Sequence, residues 1–345
     1  MSGATIAIAT APGAALSHSR FSLLLVAVAA TLFGTEGLLR RPLLDTMSVT
    51  SIVLAEHVLL ALFAVPVLIA QRQILARLSL RTWGVLLVIG VGASGGAALL
   101  FTKALESGNP TTASLLQNTQ PLFVVFLAML ILRERLARIY WPCLAISMAG
   151  AYLLSFGAST DVLVLTRQEM LAAGLALGAA GLWASGTVLA RLVLKDLSYV
   201  TLTAIRIILA LPFLAAVALP HGAMGESLAG IVASPVRIAA SALIPGLIAV
   251  LLFYRGLGGT NASHAVLAEF MYPAAALVGN WVVLGTLVTP LQALGCLLLL
   301  ATIFVLTWRP SLTPVSRIVL ADGVIEASGR TPVELRHAAV AERVA

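Results

Sequence analysis

The sequence predicts an all-α integral membrane protein of ten transmembrane helices, built as two inverted five-helix repeats. Three observations carry this. The 345 residues are 60% hydrophobic and only 10% charged, with a mean hydropathy of +1.04. Soluble domains carry about 25% charged residues, so a water-dissolved fold could not hide this much apolar surface. The apolar residues fall into ten segments that approach or span a hydrocarbon core of about 30 Å. Finally, the stretch LLFTKALESGNPTTASLLQNTQP at 99–121 returns as LLFYRGLGGTNASHAVLAEFMYP at 251–273.

In chain order the segments are 21–39, 49–70, 83–104, 111–132, 140–157, 169–190, 199–219, 237–257, 262–284 and 289–307, numbered here as helices 1 to 10. Helices are required because lipid offers no partner for backbone N–H and C=O groups, and none of the runs alternates as a barrel strand does. Residues 1–20 read as a cytoplasmic tail, 21–157 and 169–308 as the two repeats, and 309–345 as a polar cytoplasmic tail with no spanning segment. The run FSLLLVAVAA after Arg20 imitates a signal peptide, but little positive charge precedes it and it has a partner in the second half, so cleavage is not expected.

Orientation follows from the basic residues. With the N-terminus inside, twelve (Arg20, Arg72, Arg77, Arg81, Arg133, Arg135, Arg138, Arg191, Lys195, Arg255, Arg309 and Arg317) lie on the cytoplasmic side. Five (Arg40, Arg41, Lys103, Arg167 and Arg237) lie outside, the Arg40–Arg41 pair being the dissent. The excess places both termini in the cytoplasm of a plasma or inner membrane. Eight of the 23 aligned repeat positions are identical, and AATLFGT at 29–35 answers AAGLWAS at 179–185. An odd number of helices per repeat inverts the second copy, and two such halves give inward-open and outward-open states related by pseudo-symmetry.

The net charge of +7 resides mostly in short loops without interleaved aromatic residues, which argues for topology signals and against nucleic acid. Cys143 and Cys296 lie in apolar runs, with neither disulfide nor metal spacing. GVGASG at 90–95 has the form of a dinucleotide loop but lacks the preceding strand, and no Walker loop is present. GASG at 92–95 resembles the motif of an intramembrane serine protease, yet Ser94 aligns with Gly246 of the second repeat and ten inverted helices do not suit that fold. Close helix packing explains these glycines better. No catalytic residue, metal or cofactor is expected.

An ionisable side chain at mid-bilayer costs about 2.5–3.5 kcal/mol on insertion scales, so each one needs a reason. Glu36 and Glu56 fall in the outer halves of helices 1 and 2, and Arg206 and Glu269 in the inner halves of helices 7 and 9. Ser114, Gln117, Asn118 and Pro121 share one stripe of helix 4, and Gln117 is the repeat counterpart of Glu269. Ala265, Ala268, Glu269 and Tyr272 do the same on helix 9, while Phe33 and Trp183 are counterparts placed to stack on a ligand. Phe33, Gln117, Asn118, Trp183, Arg206, Glu269 and Tyr272 are the expected substrate contacts. Arg206 and Glu269 alternatively form an interhelical ion pair; if so, Glu56 is left as the proton carrier, with Glu36 next. His57 points away from Glu56, and Glu134 in its basic turn reads as structural.

Five helices per half, LFGT and LWAS in the first helix of each, and the LLFxxxL…N…A.L….P stretch joining helices 3 and 4 resemble the EamA family of the drug/metabolite transporter superfamily. LRERLARIYWPCLAISMAGAYLL at 132–154 is similar to that family's Glu-containing cytoplasmic turn and small-residue fifth helix. The resemblance covers about residues 21–308, with Thr286 standing where Glu134 stands in the first half. It implies a permease that moves a small polar metabolite or drug-like compound through the lipid bilayer by alternating access. Export or proton-coupled exchange, a cavity between helices 1–4 and 6–9, peripheral helices 5 and 10, and a homodimer are the accompanying expectations. The rival class is a non-transporting membrane scaffold or lipid-handling protein.

Overall fold

The computed structural model describes residues 8–9, 12–107, 116–156, 167–285, 288–308 and 325–326. Seven of its helices are long and apolar enough to cross a membrane: Arg20–Leu44, Val49–Ala70, Leu80–Ala104, Met170–Val193, Tyr199–Ala218, Pro235–Gly258 and Ala262–Val283, which are helices 1, 2, 3, 6, 7, 8 and 9. Helices 4, 5 and 10 are the shorter apolar helices Gln120–Leu132, Tyr140–Leu154 and Pro290–Val305. The predicted start of helix 4 at 111, with Ser114, lies outside the described residues, as do Thr286 and most of the 309–345 tail. One further helix, Ala223–Ala233, stands in the connection between helices 7 and 8, where the sequence suggests only a loop. A two-residue parallel pairing of Ile8–Ala9 with Ile325–Glu326 is the strand content among the described residues.

Local chemistry sets several helix starts. The Ser48 hydroxyl accepts from the Ser51 N–H at 3.3 Å, and the Ser198 hydroxyl from the Thr201 N–H at 3.1 Å. Helices 2 and 7 therefore begin with the same side-chain cap, which satisfies an N–H that has no intrahelical partner. The repeat also reaches into helix interiors. Helix 3 widens to π-helix at Val88–Gly96, and helix 8 does so at Ala242–Ile248, stretches that correspond at the repeat spacing. Helix 4 is interrupted at Asn118–Thr119, just ahead of Pro121, and helix 9 at Glu269–Phe270, just ahead of Pro273. Proline supplies no N–H and crowds the preceding turn, so each interruption has a local cause.

Packing repeats in the same way. Helix 1 packs along helices 8 and 9, as helix 6 does along helices 3 and 4, and helix 2 pairs with helix 7. The main apolar core draws Val26 and Ala29 from helix 1, Ile89 from helix 3, Val124 from helix 4, Ala184 and Val188 from helix 6, Ile205 from helix 7 and Phe253 from helix 8. Helices 5 and 10 bury themselves largely against each other, with Tyr140, Leu144, Leu154 and Leu299 in a separate cluster that also takes in Leu267, Phe270 and Ala274 of helix 9. Their crossing is closed by paired glycines: a Cβ at Gly295 would sit 2.5 Å from the Gly150 carbonyl oxygen and 2.7 Å from the Leu154 nitrogen. Outward-facing residues are apolar, with Leu62 72% and Phe304 60% exposed. Water would penalise that surface; a bilayer does not.

Candidate functional site

Helix 1 is interrupted at Gly34–Thr35 and restarts as Glu36–Leu44. The interruption is tight: a Cβ at Gly34 would meet the Tyr272 carbonyl oxygen and the Ala275 Cβ, both at 2.7 Å. In the restarted segment Glu36 and Arg40 stand one turn apart, and Nη1 of Arg40 donates to Glu36. The same guanidinium donates through Nε to Oε1 of Glu56 at 2.9 Å and through Nη2 to its Oε2. Ser241, at the edge of the π segment of helix 8, donates its hydroxyl to Glu56 as well. One arginine thus ties helices 1 and 2 together, and Glu56, 3% exposed, reaches on to helix 8. In the sequence Arg40 reads only as a topology signal.

Arg206 on helix 7 lies elsewhere. Its Nε donates to the Ser94 hydroxyl of helix 3 at 2.8 Å, and its Nη1 to the Tyr254 hydroxyl of helix 8 at 3.2 Å. The guanidinium carbon stands 5.6 Å from the centre of the Tyr254 ring, a cation–π distance. Ser94 is buried in the π segment and gives its own proton to the Ile89 carbonyl at 3.2 Å, so it faces Arg206 as an acceptor. Gly90 makes the approach of helices 3 and 7 feasible: a Cβ there would lie 2.6 Å from the Leu209 Cβ. π segments recur at functional sites because they re-aim side chains in this way.

Glu269 occupies the interruption of helix 9. Its Oε2 accepts from the Gln120 amide at 3.3 Å, across to helix 4, and its buried Oε1 has no hydrogen-bond partner. The ion pairs among the described residues are Arg40 with Glu36 and Glu56, so the alternative of an Arg206–Glu269 pair is not formed. This corrects the premise that left Glu56 as the unpaired carboxylate: Glu56 has an arginine partner and Glu269 has none. Gln120, outside the stripe of helix 4 read from the sequence, is the residue that contacts Glu269, and the interruption at 118–119 breaks that stripe.

The other expected residues are placed as follows. Gln117 and Asn118 are half-buried at the interruption of helix 4, and Tyr272 is half-buried in the first turn after that of helix 9. Phe33 meets Phe253 edge-on, with centroids 6.2 Å apart, and Trp183 meets Phe101 at 5.6 Å. Two ring pairs therefore join helix 1 to helix 8 and helix 6 to helix 3. His57 donates Nδ1–H to the Val53 carbonyl of its own helix at 2.8 Å. Glu134 accepts from the Ala262 N–H at 2.8 Å and from both the N–H and the hydroxyl of Ser263. It caps helix 9, a structural role. Among the described residues no group of three or more His, Cys, Asp or Glu is placed to hold a metal ion.

The EamA-like transporter family matches twice, at residues 20–156 and 170–308, one match per repeat. The riboflavin transporter ImpX of Fusobacterium nucleatum subsp. nucleatum is 28% identical over 287 residues, covering 81% of this chain and 95% of the relative. A protein of known crystal structure shares the fold with a TM-score of 0.66 at 20% identity, over 83% of this chain and 96% of the other. With two family matches spanning most of its length, and apolar helices to match, the chain is a multi-pass membrane protein of a non-enzymatic class and belongs to the EamA-like transporter family.

Proposed function

We propose that the protein is a secondary carrier that moves a small polar metabolite or drug-like compound by alternating access, as an exporter or a proton-coupled exchanger. Helices 4, 5 and 10 complete ten crossings, the two halves run in opposite senses, and both termini face the cytoplasm of a plasma or inner membrane. The observation that carries the reading is the pair of interrupted helices, 4 and 9, meeting through Gln120 and Glu269. Broken helices at repeat-related positions are where such carriers hold substrate and coupling ions, since backbone groups freed from the helix need other partners.

Each site residue has a place in this account. Arg206, Gln117, Asn118, Glu269 and Tyr272 contact substrate, with Phe33 and Trp183 flanking it. With Glu56 and Glu36 committed to Arg40, the coupling proton is assigned to Glu269, whose Oε1 has no partner. Arg40 closes the outer side by tying helices 1 and 2 together. Protons as coupling ion and a homodimer complete the proposal, and the ImpX relationship makes flavins the first substrates to try.

State-dependent labelling tests it. Gln120→Cys, on a background with Cys143 and Cys296 replaced, is reacted with a membrane-impermeant maleimide from either side of oriented vesicles. Reactivity from both sides, each enhanced when the other side is locked shut by cross-linking, is expected. Access from one side alone under every condition would defeat alternating access.

A further inference from the structure

We infer that Arg206 recognises an anionic substrate, one that presents a carboxylate or phosphate to the guanidinium. This rests on the transport reading and narrows its substrate class. The guanidinium belongs to a half-buried residue inside a membrane helix, where a charge requires compensation. Yet its bonded partners are two neutral hydroxyls, those of Ser94 and Tyr254. Among the described residues no carboxylate forms an ion pair with it: Glu36 and Glu56 pair with Arg40, Glu134 accepts from the start of helix 9, and Glu269 takes Gln120 on Oε2 and no partner on Oε1.

The hydroxyls do more than solvate the cation. Ser94 is 7% and Tyr254 3% exposed, and they hold Nε and Nη1, leaving Nη2 without a hydrogen bond among the described residues. A guanidinium held at two of its three nitrogens is fixed in orientation and still has the N–H groups of Nη2 to donate, which suits the acceptor oxygens of a carboxylate or phosphate. The positive charge is then balanced only when substrate arrives. A neutral solute would leave the cation as it stands, and a cation would add repulsion.

The test uses matched probes in the purified full-length protein: benzoate against benzamide, and riboflavin 5′-phosphate against riboflavin. Ligand-dependent thermal stabilisation is measured in phospholipid-free detergent and again in phosphatidylcholine nanodiscs. The expected result is that an anionic member stabilises the wild type and its neutral partner does not. Arg206→Gln should weaken that effect about tenfold or more, the scale of a charge-assisted hydrogen bond. Arg206→Lys should keep part of it. Ser94→Ala, which leaves the charge but frees Nε, should weaken it several-fold while the protein still elutes as one species.

Equal effects of neutral and anionic probes, an anion preference that survives Arg206→Gln, or no anion-dependent stabilisation in any pair would overturn the assignment. Loss of the anion effect in nanodiscs alone would overturn it too, by showing that lipid phosphate holds the site. Proteoliposome exchange separates this inference from the transport reading. Arg206-dependent binding without exchange would sink transport and leave the site, whereas exchange of neutral solutes only, indifferent to Arg206, would do the reverse.

Discussion

Arg40→Gln is the perturbation for which the structure makes the sharpest demand. Glu56 is 3% exposed and takes both Nε and Nη2 of Arg40, so the substitution leaves a buried carboxylate with the Ser241 hydroxyl as its remaining side-chain donor. Removing one partner of a buried ion pair costs about 3–5 kcal/mol. The Arg40 side chain is 24% exposed, so water can reach the vacated position, and the lower end, about 3 kcal/mol, is expected. Glu36→Gln breaks the other arm, but that side chain is 34% exposed and solvent screens the i,i+4 pair to about 0.5 kcal/mol. Arg40→Gln with Glu56→Gln removes both charges together and should cost less than Arg40→Gln alone. Denaturation in mixed micelles, followed by tryptophan fluorescence, measures all three. Equal costs for Arg40→Gln and Glu36→Gln, or simple additivity in the double variant, would refute a buried network centred on Arg40.

Other predictions address separate parts of the fold. Gly295→Ala should destabilise the helix 5–helix 10 pair, since its Cβ would lie 2.5 Å from a backbone oxygen, whereas Gly174→Ala, with nothing within 4 Å, should be neutral or stabilising in the same assay. Glu226, on the Ala223–Ala233 helix, is held below the usual carboxylate range chiefly by the Ser51 hydroxyl, with Ser48 adding its N–H and hydroxyl. A folded-state pKa below the unfolded value stabilises at neutral pH and loses that contribution as pH falls through the folded value. The gap in stability between wild type and Glu226→Gln should therefore shrink in acid, and a gap independent of pH would contradict the hydrogen bonds from Ser48 and Ser51. Single-cysteine labelling should place Arg77 and Arg138 inside; labelling of either from outside would reverse the topology. Deletion of 310–345 should leave membrane insertion intact, as measured by membrane fractionation.

The helices themselves were legible because lipid forces every backbone group into them, and apolar length is then nearly sufficient. The repeat was legible at 99–121 and 251–273 because the same local problem, a proline-marked interruption, recurs in both halves. Partners across helices were not. Arg40 lies four residues after Glu36, a spacing that could have signalled their pairing, but nothing in one sequence says that Glu56 would join them. Ser94 was visible as the serine of GASG and as part of a small-residue run, but not as a partner of Arg206, which it meets from within the π segment of helix 3. Gln120, which lies off the stripe of Ser114, Gln117, Asn118 and Pro121, meets Glu269 beyond an interruption, and periodicity assumes an unbroken helix. The Ala223–Ala233 helix escaped because, at 11 residues, it is about half the length of a membrane span.

The central claim is that this chain carries a solute across the bilayer through Arg206 and Glu269. Proteoliposomes loaded with a metabolite extract of the expression host and placed in an imposed pH gradient test it across many candidate solutes at once. Mass spectrometry of the external medium should show at least one small polar solute released by the wild type and retained by Arg206→Gln and Glu269→Gln variants of equal incorporation. A release profile identical to that of protein-free liposomes, or one that neither substitution alters, would contradict the account.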